Sequence, residues 1–279
     1  LVTWGSGNLS VNTGGDLAGG TIDLAHGEGA LAIAGSIRTG SALSAVPTGD
    51  LLGNLLRVRV SDAQIRFDVG GSATLQGIAA LGARGNGTDP TSPLNSFGFY
   101  SAASAIDLTA NGRISIADRG VSVVTGRTGE PETAVYPATV NFASVTGDLV
   151  LNADRALPGG ARSINLFPSS TGQLRLFAGG DITTATITME DRDPGQLPGY
   201  FSVYSVIEPS IRVAGQDFNF PVVLPDTSSA ERAALHNSAI THLNNAEPVR
   251  IAAGGDALDL ILSLPKQARI SAGRDIINM

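Results

Sequence analysis

Three near-copies of one short unit constrain the fold of this 279-residue chain more than any other feature of its sequence. They begin at Arg175, Arg250 and Arg269, and each reads Arg, apolar, any residue, Ala, Gly, Gly or Arg, and Asp. The alternation before the alanine puts every second side chain on one face of a strand. Glycine permits a positive φ at a sharp turn, and aspartate can bond nearby backbone N–H groups and steady that turn. Each unit therefore predicts a strand, a tight corner and the next strand.

The spacing of these units predicts a solenoid. Gly254 and Gly273 are 19 residues apart, whereas Gly179 and Gly254 are 75 apart, close to four such periods. One strand-and-corner unit every ~20 residues is typical of repeat architectures. Antiparallel sandwiches also have short strands, but hairpin turns and longer strands dominate in them. Because similar strands recur with glycine corners at similar offsets, we expect an all-β chain folded as a parallel β-helix, in which each coil pairs with the next.

The solenoid should span residues 1–279 as a single segment of a longer protein, because both ends of the chain fall inside repetitive sequence. Alternation over residues 55–69 predicts that Arg57, Arg59, Arg66 and Asp68 face outward and that the apolar residues between them face inward. Stretches that lack an apolar period are predicted to be insertions, and they cover about 84–98, 126–137, 190–200 and 215–248.

The longest insertion contains the only segment that reads as a helix, about 228–244. Ser228 and Glu231 have the spacing of a capping box. Leu235, Ala239 and Leu243 fall on one stripe of such a helix. We expect one short surface helix here, packed on the outside of the solenoid.

Charge and composition limit the classes of partner. The net charge is −7, the isoelectric point is near 4.9, and Lys266 is the only lysine. No cluster of Lys and Arg is apparent along the chain, so a nucleic-acid groove or an anionic-membrane surface is not expected. The chain has no cysteine, which excludes disulfides and thiolate metal sites. No apolar run approaches the ~20 residues of a membrane-spanning helix.

The residues singled out by the repeat are structural rather than catalytic. They are the glycines and aspartates of the predicted corner turns: Gly15, Asp16, Gly180, Asp181, Gly255, Asp256, Gly273 and Asp275. The tandem Gly-Gly-x-Gly-x-Asp nonapeptide of calcium-binding β-rolls is absent, so we interpret these aspartates as corner caps. The three histidines (His26, His236 and His242) lack metal-pair spacing, and we expect surface or packing roles for them. We predict no catalytic, cofactor-binding or metal-binding residue.

Two sets of side chains are candidates for contact with another molecule. Glu190, Asp191, Asp193 and Tyr200 lie in the predicted insertion at 190–200, and loops on a rigid scaffold are common places for contacts. Asp68 and Asp107 lie on predicted strands and face outward, which suits a glycosidase better, but nothing in the sequence links them into a pair.

The repeated Ala-Gly-(Gly/Arg)-Asp-Ile units, and the closing order Leu264-Pro-Lys-Gln-Ala-Arg-Ile-Ser-Ala-Gly-Arg-Asp-Ile, resemble those of the filamentous haemagglutinin family, which are large exoproteins of Gram-negative bacteria. The segments Met189-Glu-Asp-Arg-Asp-Pro and Ala246-Glu-Pro-Val-Arg-Ile resemble sequences that interrupt the stalk of such proteins. The resemblance covers most of the chain and is clearest over 174–279.

The resemblance implies a right-handed parallel β-helix exported by two-partner secretion through an outer-membrane partner. It implies a structural stalk segment on the cell surface, in an adhesin or biofilm protein that contacts a glycan or protein of a host or neighbouring cell. Lack of cysteine suits a chain that crosses the outer membrane unfolded. Two alternatives stay open: a carbohydrate-active β-helix enzyme, which needs close carboxylates in a groove, and a self-assembling fibre subunit that associates end to end through unpaired terminal coils.

Overall fold

The structure, a computed structural model, describes residues 1–3, 7–40, 55–80, 83–84, 96–97, 103–118, 123–124, 132–153, 161–167, 169–184, 186–189, 242 and 245–279. The described residues form strands, turns and bends, and no helix occurs among them. They include no helical segment of a length and hydropathy suited to crossing a membrane.

The described part of residues 1–116 contains eleven strands. They are β1 (Val2–Thr3), β2 (Leu9–Thr13), β3 (Leu17–Ala18), β4 (Thr21–Ile33), β5 (Ile37–Arg38), β6 (Leu56–Val69), β7 (Ala73–Ala80), β8 (Ala83–Arg84), β9 (Ser96–Phe97), β10 (Ala105–Ala110) and β11 (Ile114–Ile116). The strands β4 and β6 are long because each one continues around a bend from one side of the solenoid to the next.

The residues described between 123 and 279 form thirteen strands. They are β12 (Val123–Val124), β13 (Glu132–Tyr136), β14 (Thr139–Ser144), β15 (Leu149–Val150), β16 (Ala161–Leu166), β17 (Leu174–Ala178), β18 (Ile182–Thr183), β19 (Thr186–Met189), β20 (Val249–Ala253), β21 (Ala257–Leu258), β22 (Ile261–Ser263), β23 (Ala268–Ala272) and β24 (Ile276–Ile277).

The strands stack into a three-sided solenoid. On the long side, seven consecutive parallel pairings join β2, the end of β4, the end of β6, β10, β14, β17, β20 and β23, and these define coils 1 to 8. On the short side, β3, β5, β7, β11, β15, β18, β21 and β24 stack in the same order. The third side is built from β1, the start of β4, the start of β6, the end of β7, β13, β16, β19 and β22. The predicted fold class, an all-β parallel solenoid, is confirmed.

The core is a set of apolar columns that run along the solenoid. One inward position of the long side is occupied in successive coils by Val11, Leu31, Phe67, Leu108, Phe142, Leu176, Ile251 and Ile270. From Leu31 to Ile251 these side chains are buried, and each rests on the same position of the coils beside it. Burying a side chain of this size stabilises the fold by roughly 1.5–3 kcal/mol. The predicted inward and outward residues of 55–69 have the expected burial.

The connections between sides differ in length. The corners from the long side to the short side have three residues in seven coils and four in coil 5, where they are residues 145–148. The other two corners carry the insertions: residues 39–55, 117–131 and 151–160 lead to the third side, and residues 81–104 and 190–248 return to the long side. Insertions are therefore accommodated at two of the three corners.

Two details of the predicted organisation are wrong, and a third lies almost wholly outside the described residues. The 75 residues between Gly179 and Gly254 hold one coil plus an insertion rather than four units, because β17 pairs directly with β20. Residues 132–136, assigned to a loop over 126–137, form β13 and pair with β16. The predicted helix over 228–244 lies outside the described residues except at His242, where φ is +63°, so a right-handed helix does not extend to that residue.

Candidate binding face and corner ladder

The predicted corner aspartates form a ladder between coils. The carboxylate Oδ1 of Asp16 accepts the backbone N–H of Ser36 at 2.9 Å. At the other end of the solenoid, Asp148 accepts from Asp181 at 3.0 Å, Asp181 from Asp256 at 2.8 Å, and Asp256 from Asp275 at 3.0 Å. Each carboxylate therefore bonds the equivalent residue one coil further on, rather than an N–H within its own turn.

Serines take over this role near the start of the chain. The hydroxyl of Ser36 accepts the backbone N–H of Ser72 at 3.1 Å, in the same position as the aspartate bonds. Coil 4 has Arg113 at this position, whose side chain supplies no such acceptor. The ladder therefore has two sections, one over coils 1 to 3 and one over coils 5 to 8.

The corner glycines are needed for space rather than for positive φ, so the predicted reason for them is wrong. Within the described ranges, the glycines with positive φ are Gly19, Gly20 and Gly27, and none of them lies at a long-to-short corner. A Cβ on Gly255 would lie 2.0 Å from Oδ1 of Asp181, and one on Gly180 would lie 2.3 Å from Oδ1 of Asp148. The side-chain oxygen of the preceding coil occupies the space that a side chain would need.

The ladder lowers the pKa of two of its carboxylates, Asp16 and Asp181. The backbone N–H of Ser36, followed by Arg38, lowers the pKa of Asp16. The backbone N–H of Asp256, followed by Arg274, lowers the pKa of Asp181. In both cases the hydrogen bond favours the charged form of the acceptor. The corner therefore holds ionised carboxylates at neutral pH.

Two cations of the last coil reach back across coil 7. Nη2 of Arg274 lies 2.7 Å from Oδ1 of Asp181 and 3.0 Å from Oδ2 of Asp256. Nζ of Lys266 donates to the carbonyl oxygen of Gly172 at 2.8 Å and to Oε1 of Gln173 at 2.6 Å. These side chains tie coil 8 to coil 6 at two different corners.

The outward face of the long side carries a column of arginines that the sequence analysis did not use. Arg175, Arg250 and Arg269 occupy the same position in coils 6, 7 and 8. Below them in the same column lie Asn141 and Asp107. The signal was available, since arginine opens each of the three near-copies, and stacking in register brings these copies together.

Among the described residues, only the first of these arginines is hydrogen-bonded to a carboxylate, and Arg250 interacts with that same carboxylate, Glu247, through its charge alone. Nη2 of Arg175 is hydrogen-bonded to Oε1 of Glu247, and its Nη1 donates to Oδ1 of Asn141 at 3.3 Å. This bond with Arg175 lowers the pKa of Glu247. Arg250 and Arg269 are exposed, and the described part of the structure gives their side chains no hydrogen bond or ion pair.

Asp68 and Asp107, which nothing in the sequence links, are brought together by the fold. They lie in coils 3 and 4 of the long side, and Asp107 is directly beside Arg66 in register. The guanidinium of Arg66 binds both carboxylate oxygens of Asp68, at 2.9 and 3.0 Å. Burial, with Asp68 as a further cause, raises the pKa of Asp107, although Arg66 opposes the shift. Arg66 therefore links the two carboxylates in the fold, contrary to the expectation from the sequence.

A buried polar cluster was missed by the sequence analysis. The carboxylate of Asp118 accepts the Tyr136 hydroxyl at 2.7 Å and the backbone N–H of Asn152 at 3.3 Å. All three residues are buried, and Tyr136 packs edge-on against Phe142 with ring centroids 6.3 Å apart. Burial raises the pKa of Asp118 to about 7, although its hydrogen bonds oppose the shift. Tyr136 lies in a stretch that was predicted to be a polar loop, so nothing in the sequence indicated that its side chain is buried in the core.

The remaining sites of the sequence analysis fall in two groups. Nδ1 of His26 lies 3.4 Å from Asp62 at the surface, and His242 is buried. His236 and the predicted contact residues Glu190, Asp191, Asp193 and Tyr200 lie outside the described residues. Among those that are described, no group of three His, Asp or Glu side chains is placed to hold a metal ion.

Comparison with known proteins adds no relative, since no protein-family model, no curated protein and no solved structure matches the chain.

Proposed function

We propose that this chain is a stalk segment of a secreted, cell-surface exoprotein of the filamentous haemagglutinin type, and that its work is mechanical. It forms a stiff rod that holds loops outward for adhesion or biofilm contact. The observation that carries the proposal is that the three corners of the coils differ in length and in hydrogen bonding. One corner is short in all eight coils and carries the ladder, while insertions occur at the other two.

The bonding pattern suits a rod that must resist bending. Backbone pairing on three sides, the apolar columns and the carboxylate ladder all join one coil to the next. Each coil contacts mainly its neighbours, so such a chain can fold coil by coil. This is compatible with export of an unfolded chain through an outer-membrane partner, which the family resemblance implies.

The experiment that tests the proposal has two readouts in cells that produce the protein. An antibody raised against residues 1–279 should detect a polypeptide far larger than 28.4 kDa on a denaturing gel. Protease added outside intact cells should remove that band, while a periplasmic marker protein survives. A band near 28.4 kDa, or one that is protected until the cells are lysed, contradicts the stalk proposal.

A second candidate function, cleavage of a polysaccharide, is favoured by one observation, the pair of carboxylates around Arg66. A glycosidase uses one protonated and one ionised carboxyl group. Here the pKa of Asp107 is raised, and Asp68 is bound by Arg66. Incubation with neutral and acidic polysaccharides should then release reducing ends, and Asp107→Asn should abolish the release. If no polymer releases reducing ends, the cleavage function is refuted and the mechanical role remains.

A further inference from the structure

The arginine column on the long side is an electrostatic feature that the stalk role does not explain. Arg175, Arg250 and Arg269 stack in register in coils 6 to 8. Paired strands lie about 4.8 Å apart. Like charges at such spacing repel one another. The chain as a whole has a net charge of −7, so this cationic strip stands out against an acidic molecule.

Glu247 shows which chemistry satisfies a member of this column. Its carboxylate is bound to Arg175, and the position above it in the column, Arg250, is exposed and lacks such a partner among the described residues. Arg269 repeats this situation one coil further on. A guanidinium and a carboxylate match in planar geometry and form strong paired hydrogen bonds. Among the described residues, the column therefore has one arginine hydrogen-bonded to a carboxylate and two exposed arginines without such a bond, one of which lies within electrostatic reach of Glu247.

Lys266 adds a fourth cation beside the strip. Its pKa is lowered to about 8, chiefly by burial, with Arg175 as a further cause and Glu247 opposing the shift. A lysine with that pKa is mostly charged at pH 7. The strip then holds four cations and one carboxylate, so an anionic ligand is attracted to it.

An exposed aromatic ring lies in the neighbouring outward column. Phe177 is 45% exposed, and the positions beside it in coils 5, 7 and 8 are Ala143, Ala252 and Ser271. The ring is therefore flanked by small side chains in the neighbouring coils. Phe177 lies two residues along β17 from Arg175. An apolar ring face next to cations suits a pyranose ring, which has apolar C–H faces and carries its carboxylate at the edge.

We propose that the outward face of the long side over coils 6 to 8 binds an acidic polysaccharide built from uronic acids, with its chain running along the solenoid axis. Arg250 and Arg269 bind carboxylates of the polymer, and Phe177 packs against a sugar ring. The site lies on the rod itself rather than on its loops. An acidic peptide would use the arginines without needing the aromatic ring, so the ring favours the sugar.

The test measures binding of oligogalacturonate to residues 1–279 by calorimetry, at low and at physiological salt. Arg250→Gln and Arg269→Gln should each weaken binding by about tenfold, because each variant removes a charge-assisted hydrogen bond to the ligand. Phe177→Ala should weaken it by a smaller factor, about threefold, as expected for the loss of one aromatic contact. Arg113→Gln is the matched control, since Arg113 is also exposed but lies at a corner of coil 4.

The outcomes separate the proposal from its competitors. Absence of binding by the unchanged chain at low salt overturns it, and so does an equal loss of affinity in Arg113→Gln. Polyglutamate that binds as tightly as the sugar, with no effect of Phe177→Ala, assigns the face to acidic peptides instead. Chondroitin sulfate that binds more tightly than oligogalacturonate assigns it to sulfate groups. None of these results bears on the stalk role, whose test uses the size and surface exposure of the cellular protein.

Discussion

At the scale of single residues, the corner of each coil shows how closely the coils approach one another. In coils 2, 3, 4, 6 and 7, glycine at the second corner position is required because a side-chain oxygen of the preceding coil lies where a Cβ would be, whereas coil 8 has Arg274 at this position. Gly15 in the first coil is the exception, since no atom lies within 4 Å of a Cβ built there. Position in the stack, rather than the local motif, therefore decides what each glycine contributes.

We expect Gly255→Ala to destabilise the protein and Gly15→Ala to leave its stability unchanged or slightly increased. In coil 7 the new methyl group would displace the carboxylate of Asp181, and overpacking of this kind costs typically 1–3 kcal/mol. In coil 1 the same change only reduces the freedom of the unfolded chain. Urea unfolding followed by circular dichroism gives the two midpoints. Equal shifts in both variants would refute the steric account.

The buried carboxyl group of Asp118 makes a second prediction at this scale. Its folded pKa of about 7 is above the unfolded value, so the folded state binds an extra proton between pH 4 and 7. This group contributes stability that is fully present below pH 4 and is lost as the pH rises through 7. The loss amounts to a few kcal/mol at most.

Asp118→Asn removes that dependence; its one amide oxygen can still accept from the Tyr136 hydroxyl, whereas the bond that the second carboxylate oxygen accepts from the backbone N–H of Asn152 is lost. We expect the free energy of unfolding of the unchanged protein, relative to that of the variant, to fall between pH 4.5 and 8. Glu28→Gln, at an exposed surface position, controls for the loss of one carboxylate. A constant difference across this pH range would show that Asp118 does not titrate there.

At the scale of strands and corners, the molecule separates structural corners from tolerant ones. The long-to-short corner holds the ladder of Asp148, Asp181, Asp256 and Asp275, and its length varies by at most one residue. Loop closure becomes only slightly more costly as a loop lengthens, so length alone does not exclude an insertion there. The hydrogen bonds between coils exclude insertions at this corner, because they form only when each corner lies directly above the corner of the preceding coil.

We expect an insertion of Gly-Ser-Gly-Ser to be harmful between Gly254 and Gly255 but tolerated between Asp259 and Leu260 in the same coil. The first site interrupts two hydrogen bonds, the one that the backbone N–H of Asp256 donates to Asp181 and the one that the backbone N–H of Asp275 donates to Asp256. The second lies at the corner type that carries insertions in coils 2, 4 and 5. The matched lengths give equal loop-closure costs, so the difference in thermal midpoint isolates the ladder. A similar midpoint for both variants would mean that the ladder is dispensable.

At the scale of the whole molecule, the last coil leaves part of the apolar core at the surface. Ile276 is 46% exposed and Ile277 is 44% exposed, while Ile270 and Ala272 are only partly buried. In a polypeptide that consists of residues 1–279, the outer edges of β23 and β24 have no strand to pair with. Unpaired edges of this kind promote pairing with another chain.

A polypeptide of residues 1–279 should therefore associate end to end as its concentration rises. Ile276→Lys should reduce the association, because it places a charge on the exposed end of the core. Val145→Lys is the matched control, since Val145 is also 46% exposed but lies at a corner in the middle of the rod. Sedimentation velocity over a range of concentrations measures the effect. Equal reduction in both variants would indicate non-specific hydrophobic association.

Much of the fold follows from local pattern. The alternation in residues 55–69 is sufficient to tell inward from outward side chains, because side chains of a strand point alternately to its two faces. The near-copies at 175, 250 and 269 locate the strands and the corners that follow them, because alternation of apolar residues with a period of two is typical of a strand.

Contacts between coils were decided by the tertiary structure alone. Which strand follows β17 in the stack, which N–H an aspartate bonds and what a corner glycine avoids all depend on residues 19 to 75 positions away. Insertions change these separations at small energetic cost, so sequence distance does not reveal spatial order. The arginine column, the Arg66 carboxylate pair and the burial of Asp118 with Tyr136 arise from that order, and each required the coils to be stacked before it could be seen.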